Sequence, residues 1–149
     1  MEKIRLGRTN LMVTRSGFGA LPIQRLSKEE AAALLYKAYE NGINFFDTAN
    51  GYTDSEEKIG LALSGVRDKV YIATKTGSST PDLFWKHLEL SLTRMKTDYV
   101  DIYQFHNPAQ VPNDEMAACM LKAKEQGMIR HIGVTAHRLD VALAEAETG

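Results

Sequence analysis

The sequence has little cysteine and almost no net charge. Cys119 is the single cysteine among 149 residues, so no disulfide can form within the chain. Lys and Arg number 18 and Asp and Glu number 19, which gives a formal net charge of −1. A chain this close to neutral offers no electrostatic basis for binding nucleic acid or an anionic membrane. We therefore expect neither as a partner.

Long hydrophobic runs are also lacking. The longest uncharged apolar stretch near the start, Ala31 to Tyr36, is too short to span a bilayer. Met1 to Arg5 has no apolar core of the kind found in secretory signals. With a single cysteine, these features favour a reducing, cytoplasmic location. The composition, 44% apolar and 25% charged, is typical of a soluble globular protein, and residues 1–149 suit one domain.

Several common binding and catalytic motifs are absent from the sequence. The run Gly17-Phe18-Gly19 begins like a dinucleotide-binding fingerprint, but Pro22 occupies the position of its third glycine. There is no Walker-type phosphate loop. The four histidines show no zinc-like spacing, so no metal is expected. Cys119 lies between Ala118 and Met120 on a predicted helix, which favours a core residue over a nucleophile.

Short apolar runs alternate with amphipathic stretches along the chain. The runs near 16–20, 43–46, 70–73, 100–105 and 129–134 predict strands. Ser27 with Glu30 forms a capping box before the first helix, and Asp54 with Glu57 repeats that pattern before the second. Helix starts are also expected at 80–81 and 113, and a last helix from 139 to 147. Residues 4–6 and 12–14 predict a small hairpin outside this series.

The alternation predicts an α/β fold of parallel strands joined by crossover helices. The predicted strands end near Gly19, Asp47, Lys75, His106 and Thr135, at intervals of 28, 28, 31 and 29 residues. Repeated βα units of this size build an eightfold barrel of about 250 residues. Five such units would also fit a doubly wound sheet, and periodicity alone does not separate the two folds.

Three successive predicted strands end in a different ionisable residue. These are Asp47, Lys75 and His106, and Tyr52 follows Asp47 by five residues. Each has an ordinary structural explanation when taken alone, as a turn cap, a solvated lysine, a loop histidine or one tyrosine of six. Because the carboxyl ends of parallel strands share one face of the fold, their conjunction favours a single site.

The combination of these groups suits a proton relay. A tyrosine is a poor proton donor at neutral pH, since its unperturbed pKa is about 10. A nearby lysine cation stabilises the phenolate, a carboxylate holds the lysine charged, and a histidine can orient a carbonyl oxygen. Reduction of a carbonyl group needs such a relay and also a hydride donor, which no side chain supplies. A nicotinamide cofactor is therefore implied.

The same residues resemble the aldo-keto reductases over essentially the whole chain. The similarity is carried by Phe46 to Ala49 with Tyr52, Ser55-Glu56 and Ile59-Gly60, by Ser91-Leu92 with Thr97 to Tyr103 and His106, and by Gly127 with Ile129 to Val134. This resemblance implies a TIM barrel with an N-terminal hairpin, and NADP(H) bound without a Rossmann fold.

The resemblance also implies roles for individual residues. It makes Tyr52 the general acid, Lys75 and Asp47 the pair that strengthens this acid, and His106 the residue that orients the carbonyl group. The implied cofactor contacts are Gly19, Asp47 and Thr135. Thr135 falls in the segment expected to hold the nicotinamide carboxamide. Residue 136 in this segment is alanine, where the family commonly has asparagine.

The expected barrel has eight strands, whereas five are predicted here. We therefore expect a partial (β/α)8 barrel that belongs to a longer NADPH-dependent carbonyl reductase and has little activity alone. An alternative is a non-catalytic half-barrel that self-associates, or pairs with another half, through its open sheet edges. A further alternative is a different TIM-barrel enzyme, in which Asp47, Tyr52, Lys75 and His106 would occur in this pattern by coincidence.

Overall fold

A computed structural model describes residues 1–147 as a hairpin followed by five βα units. The hairpin pairs strands β1 (Lys3–Arg5) and β2 (Met12–Thr14) in antiparallel fashion. The main sheet then contains five parallel strands, β3 (Phe18–Gly19), β4 (Phe45–Asp47), β5 (Tyr71–Thr76), β6 (Val100–His106) and β7 (Ile129–Thr135). The predicted hairpin and all five predicted strands are therefore present.

The order of the strands decides between the two folds that the sequence left open. Each strand pairs with the one before it in the sequence, in the order β3-β4-β5-β6-β7. A doubly wound sheet reverses its strand order at a switch point, whereas a barrel adds each strand beside the last. The sheet is therefore an arc of the barrel type, with β3 and β7 at its two edges.

In the described residues, four α-helices connect these strands, a fifth follows β7, and all five lie on the outer face of the sheet. They are α1 (Lys28–Glu40), α2 (Ser55–Leu63), α3 (Pro81–Met95), α4 (Asp114–Glu125) and α5 (Leu139–Glu147). The capping box of Ser27 and Glu30 is formed, and the side chains of Thr80 and Asn113 cap α3 and α4. In the described residues 1–147, none of the helices is sufficiently long and apolar to cross a membrane.

The capping box predicted at Asp54 is wrong. Helix α2 does begin after Asp54, but the Asp54 carboxylate makes no cap hydrogen bond. It accepts a hydrogen bond from Lys58 Nζ at 2.7 Å instead, and the Lys58 side chain is only 1% exposed. An unpaired buried ammonium group costs more free energy than a helix start without a side-chain cap, so Asp54 pairs with Lys58. The hydrogen bond from Lys58 lowers the pKa of Asp54.

The hydrophobic core lies between the helices and the outer face of the sheet. Alternate strand residues such as Phe46, Ile72 and Tyr103 are fully buried there. The same alternation turns Asp47, Lys75 and His106 toward the concave inner face. Helices α2 and α3 touch at Gly60, where an added Cβ would lie 2.3 Å from the carbonyl oxygen of Arg94.

The hairpin is fixed to the sheet by Asn44. The sequence placed residues 43 and 44 in a strand, but β4 begins at Phe45. The Asn44 side chain accepts from the Thr14 amide at 2.6 Å and donates to the Met12 carbonyl at 2.9 Å. Those bonds hold β2 at the amino end of the sheet, opposite the end at which the predicted site residues lie.

A buried ion cluster joins three segments near the amino end of the sheet. Asp101 is fully buried and accepts from Arg67 Nη2 at 2.7 Å, from Arg130 Nη1 at 2.9 Å and from the Ile72 amide at 2.9 Å. Both guanidinium groups also stack on the Tyr99 ring, about 4 Å from its centre. The cluster ties β5, β6 and β7 together at the end of the barrel that provides stability in this architecture.

Candidate active site

The predicted site residues lie at the carboxyl ends of the strands, where register brings them side by side. Gly19 on β3 pairs with Asp47 on β4, and His106 on β6 pairs with Thr135 on β7. Lys75 lies on β5 between these two pairs. The five strand ends therefore form one rim, as parallel strands with similar βα units require.

Lys75 and Asp47 form the central contact of this rim. Lys75 Nζ donates to Asp47 Oδ1 at 2.5 Å and to the carbonyl oxygen of Thr48 at 2.7 Å. The Lys75 side chain is 4% exposed and that of Asp47 is 38% exposed. An ammonium group this buried needs its carboxylate, because an unpaired charge in that position would be strongly destabilising.

Tyr52 reaches the rim from the loop between β4 and α2. The Tyr52 ring centre lies 5.2 Å from Lys75 Nζ and 5.6 Å from the His106 ring, which meets it edge to face at 80°. The four residues predicted to act together are thus in one group, and Asp47 is the last residue of β4, directly before the loop that carries Tyr52.

The surroundings of His106 favour the neutral form of its ring. Burial lowers the pKa of this imidazole, and the positive charge of Lys75 lowers it further, against a smaller opposing effect of Asp47. A neutral imidazole donates through one ring nitrogen and accepts through the other. His106 can therefore donate a hydrogen bond to a carbonyl oxygen without competing with Tyr52 as a strong acid.

Buried polar groups fix the loop that carries Tyr52. The Asn50 amide donates to the Lys75 carbonyl at 3.0 Å, and Arg94 Nη1 donates to the Asn50 carbonyl at 3.2 Å. The same Arg94 nitrogen donates to the Glu56 carboxylate at 3.3 Å, and Thr74 donates to that carboxylate at 2.7 Å. Glu56 is 1% exposed, so this carboxylate holds α2, α3 and the loop together from inside.

Gln104 lies among the predicted site residues, although no sequence pattern singled it out. Gln104 Nε2 donates to Asp47 Oδ2 at 3.4 Å, and Thr135 Oγ1 donates to Gln104 Oε1 at 2.8 Å. The signal was available, because Gln104 precedes His106 by two residues and strand side chains alternate between faces. Gln104 is neutral and lies inside β6, so it has neither of the features, a strand end and an ionisable group, that marked the predicted residues.

The remaining candidates lie apart from the rim or beside it. Cys119 is buried in the core on α4, and burial raises the pKa of its thiol, as expected of a residue that is not a nucleophile. In the described part of the chain, no group of three or more His, Cys, Asp or Glu side chains is arranged to hold a metal ion.

A cavity of about 330 Å³ adjoins His106 between the loops that follow β5 and β6.

Comparison with known proteins assigns the family. Residues 15–147 match the family model described as the aldo/keto reductase family. An uncharacterized oxidoreductase of Bacillus subtilis, YqkF, is 33% identical over 95% of this chain and 51% of its own length. L-galactose dehydrogenase of Arabidopsis thaliana is 33% identical over 95% of this chain and 50% of its own length.

Solved structures show the same relationship in three dimensions. The holo form of aldo-keto reductase AKR11C1 from Bacillus halodurans superposes with a TM-score of 0.92 at 30% identity, over 99% of this chain and 54% of that one. An aldo-keto reductase from Klebsiella pneumoniae, crystallised with NADPH, gives a TM-score of 0.87 at 28% identity over 99% and 54%. The chain spans about half the length of the curated relatives it matches. It belongs to the aldo/keto reductase family.

Proposed function

We propose that this chain provides the catalytic rim of an NADP(H)-dependent carbonyl reductase, in which Tyr52 protonates the oxygen of a small aldehyde or ketone. The single observation that supports this most directly is the grouping of Lys75 with both Asp47 and Tyr52. Ion pairs are common in proteins, but one placed at a strand end beneath a phenol and an imidazole is suited to proton transfer.

The proton path follows from the donors of Lys75. Asp47 and the Thr48 carbonyl occupy two of its three N–H groups. The third remains for the phenol oxygen of Tyr52, whose ring centre lies 5.2 Å from Nζ. The ammonium group stabilises negative charge on the phenolate after proton transfer, and Asp47 keeps the ammonium group in place. His106 holds the substrate oxygen beside Tyr52 through its neutral ring.

The inner face of the sheet suits a nicotinamide cofactor. Gly19 leaves open space where a Cβ would lie, so a planar ring can approach the backbone of β3 closely. Asp47, Gln104 and Thr135 offer neutral and charged hydrogen-bonding groups on the same face. When bound, the cofactor supplies the hydride that carbonyl reduction requires. Gly19, Asp47 and Thr135 are the residues that would hold it.

A cavity beside His106 lies next to the proposed position of the substrate oxygen. Its volume of about 330 Å³ lies near the lower limit of ordinary ligand pockets. Thr76, Phe105 and Met116 are among the residues that line it, which gives it both polar and apolar walls. We infer that this cavity receives the part of the carbonyl compound that does not react.

Replacement of Tyr52 tests the proposal. In the full-length protein, Tyr52→Phe is expected to abolish nearly all NADPH-dependent reduction of small aldehydes, measured by loss of NADPH absorbance. Tyr36→Phe removes a phenol oxygen from an exposed position on α1 and serves as the control. Unchanged turnover in Tyr52→Phe would refute the assigned role of this residue.

A second candidate function is assembly without catalysis. The last βα unit exposes Ile132 by 41%, Leu139 by 73% and Leu143 by 56%, and β7 is an open sheet edge. These features favour self-association, or pairing with another half-barrel. Sedimentation equilibrium of the 149-residue chain shows whether it assembles or stays monomeric. A monomer with a cooperative melt would argue against assembly.

A further inference from the structure

Gln104 lies at the centre of the candidate site and has no role in the proton path described above. Its side chain shares the inner face of the sheet with Lys75, its register partner on β5, and with Gly133, its partner on β7. We propose that Gln104 is a positioning residue, which holds the Asp47 carboxylate in place and links it to Thr135. This inference rests on the proposed function.

The orientation of the Gln104 amide follows from its two neighbours. An amide group has a donor end and an acceptor end. The donor end faces Asp47 Oδ2 at 3.4 Å, and the acceptor end receives the Thr135 hydroxyl at 2.8 Å. The reverse orientation would place an amide oxygen against a carboxylate, which is unfavourable. Asp47 therefore selects one orientation, and Thr135 stabilises the same one.

Gly133 provides the room that this arrangement needs. A Cβ added at residue 133 would lie 3.2 Å from Gln104 Cγ, which is closer than ordinary van der Waals contact. Because residue 133 has no side chain, the stem of Gln104 can lie along β7 toward Thr135. The space and the hydroxyl donor thus come from β7, and the carboxylate acceptor comes from β4.

The consequence for Asp47 is that both of its oxygens are occupied. Lys75 holds Oδ1 at 2.5 Å and Gln104 approaches Oδ2 at 3.4 Å. The Asp47 side chain is 38% exposed, so water competes for the second oxygen when the amide is removed. A carboxylate held at both oxygens rotates less, and the ammonium group paired with it keeps a more constant position relative to Tyr52. Thr135, Gln104, Asp47 and Lys75 thereby form one continuous chain of hydrogen bonds.

Steady-state kinetics of the full-length protein test this chain of contacts. Gln104→Met keeps the length of the side chain and removes both hydrogen bonds. We expect kcat for aldehyde reduction to fall about fivefold, the effect of one hydrogen bond of ordinary net strength, with little change in the KM for NADPH. Thr135→Val should lower kcat by a similar factor and, because Thr135 is also a proposed cofactor contact, should raise the KM for NADPH; Thr135→Ser should restore both. The double variant should be no slower than Gln104→Met, because Thr135 acts through Gln104.

Other roles would give different results. If Thr135 contacts only the cofactor, Thr135→Val raises the KM for NADPH at unchanged kcat, and the two substitutions have additive effects. That result, or wild-type kcat in Gln104→Met, would overturn the inference. Thr93→Val removes a hydroxyl group from the exposed surface of α3 and is the matched control, with wild-type kinetics expected.

A spectroscopic measurement separates this inference from the proposed function. In the ¹⁵N-labelled 149-residue chain, the side-chain amide signals of Gln104 should shift in both Asp47→Asn and Thr135→Val, and stay unchanged in Thr93→Val. Signals that respond to neither of the first two changes refute the network, even if Tyr52→Phe abolishes reduction. Conversely, shifted signals in a protein that reduces no carbonyl compound leave the network standing and refute the enzyme proposal.

Discussion

The contact of helices α2 and α3 at Gly60 leads to a prediction about stability. Gly60→Ala would place a Cβ 2.3 Å from the Arg94 carbonyl oxygen and 2.8 Å from two backbone atoms of Met95. These are all main-chain atoms, so no side-chain rotation relieves the overlap. Ordinary carbon contacts begin at about 3.5 Å, and the helices would have to separate by roughly 1 Å.

The cost of this separation can be estimated. Inserting a methyl group into a well-packed region typically costs about 1–3 kcal/mol. Alanine recovers up to about 1 kcal/mol through its higher helix propensity. Since backbone cannot yield as a side chain does, we take the upper end of this range, about 3 kcal/mol, and subtract the gain in helix propensity, which leaves a net loss of about 2 kcal/mol. For a chain of this size that corresponds to a fall in Tm of roughly 4–8 °C.

Urea denaturation followed by circular dichroism measures the effect. Gly65→Ala is the matched control, because no atom lies within 4 Å of its added Cβ, and we expect its free energy of unfolding to stay within about 0.5 kcal/mol of the original. If Gly60→Ala were as stable as the Gly65 variant, the close approach of the two helices would be refuted.

Three further predictions concern acid sensitivity, backbone strain and buried charge. Burial lowers the pKa of three histidines below 6.5, so the folded state binds fewer protons than the unfolded state. These histidines are His87, His106 and His131. The free energy of unfolding, measured in urea, should therefore fall as pH decreases from 7 to 5. A flat profile would contradict this. Thr53 has a φ of 44°, a region that is costly for a β-branched residue. Thr53→Gly should therefore raise the free energy of unfolding, measured in urea, by about 0.5–1 kcal/mol. A lower free energy of unfolding would show that the contacts of the Thr53 hydroxyl outweigh this backbone cost. Asp101→Asn leaves Arg67 without its buried partner charge and should cost about 3–5 kcal/mol by the same assay, whereas the exposed Asp98→Asn should cost almost nothing.

Local sequence signals predicted the order of the elements and most helix starts. Ser27, Thr80 and Asn113 each cap a helix as expected, since a cap depends on residues only three positions apart. The failure at Asp54 had a long-range cause. Lys58 is buried against the Ile23 carbonyl, and it takes the carboxylate that would otherwise cap α2. No local pattern reveals that a lysine on a helix will be buried.

The sequence by itself indicated where each strand ends to within one residue, since β5 ends at Thr76 and not at Lys75, because strand period and βα spacing are local properties of the chain. It therefore placed Asp47, Lys75 and His106 on one face and, with the family resemblance, indicated their chemistry. Only the tertiary structure decided the sequential strand order, the pairing of Lys75 with Asp47 across 28 residues, and the position of Gln104 between Asp47 and Thr135. Those contacts depend on which strands become neighbours and in what register, which is set by packing of the whole sheet against its helices.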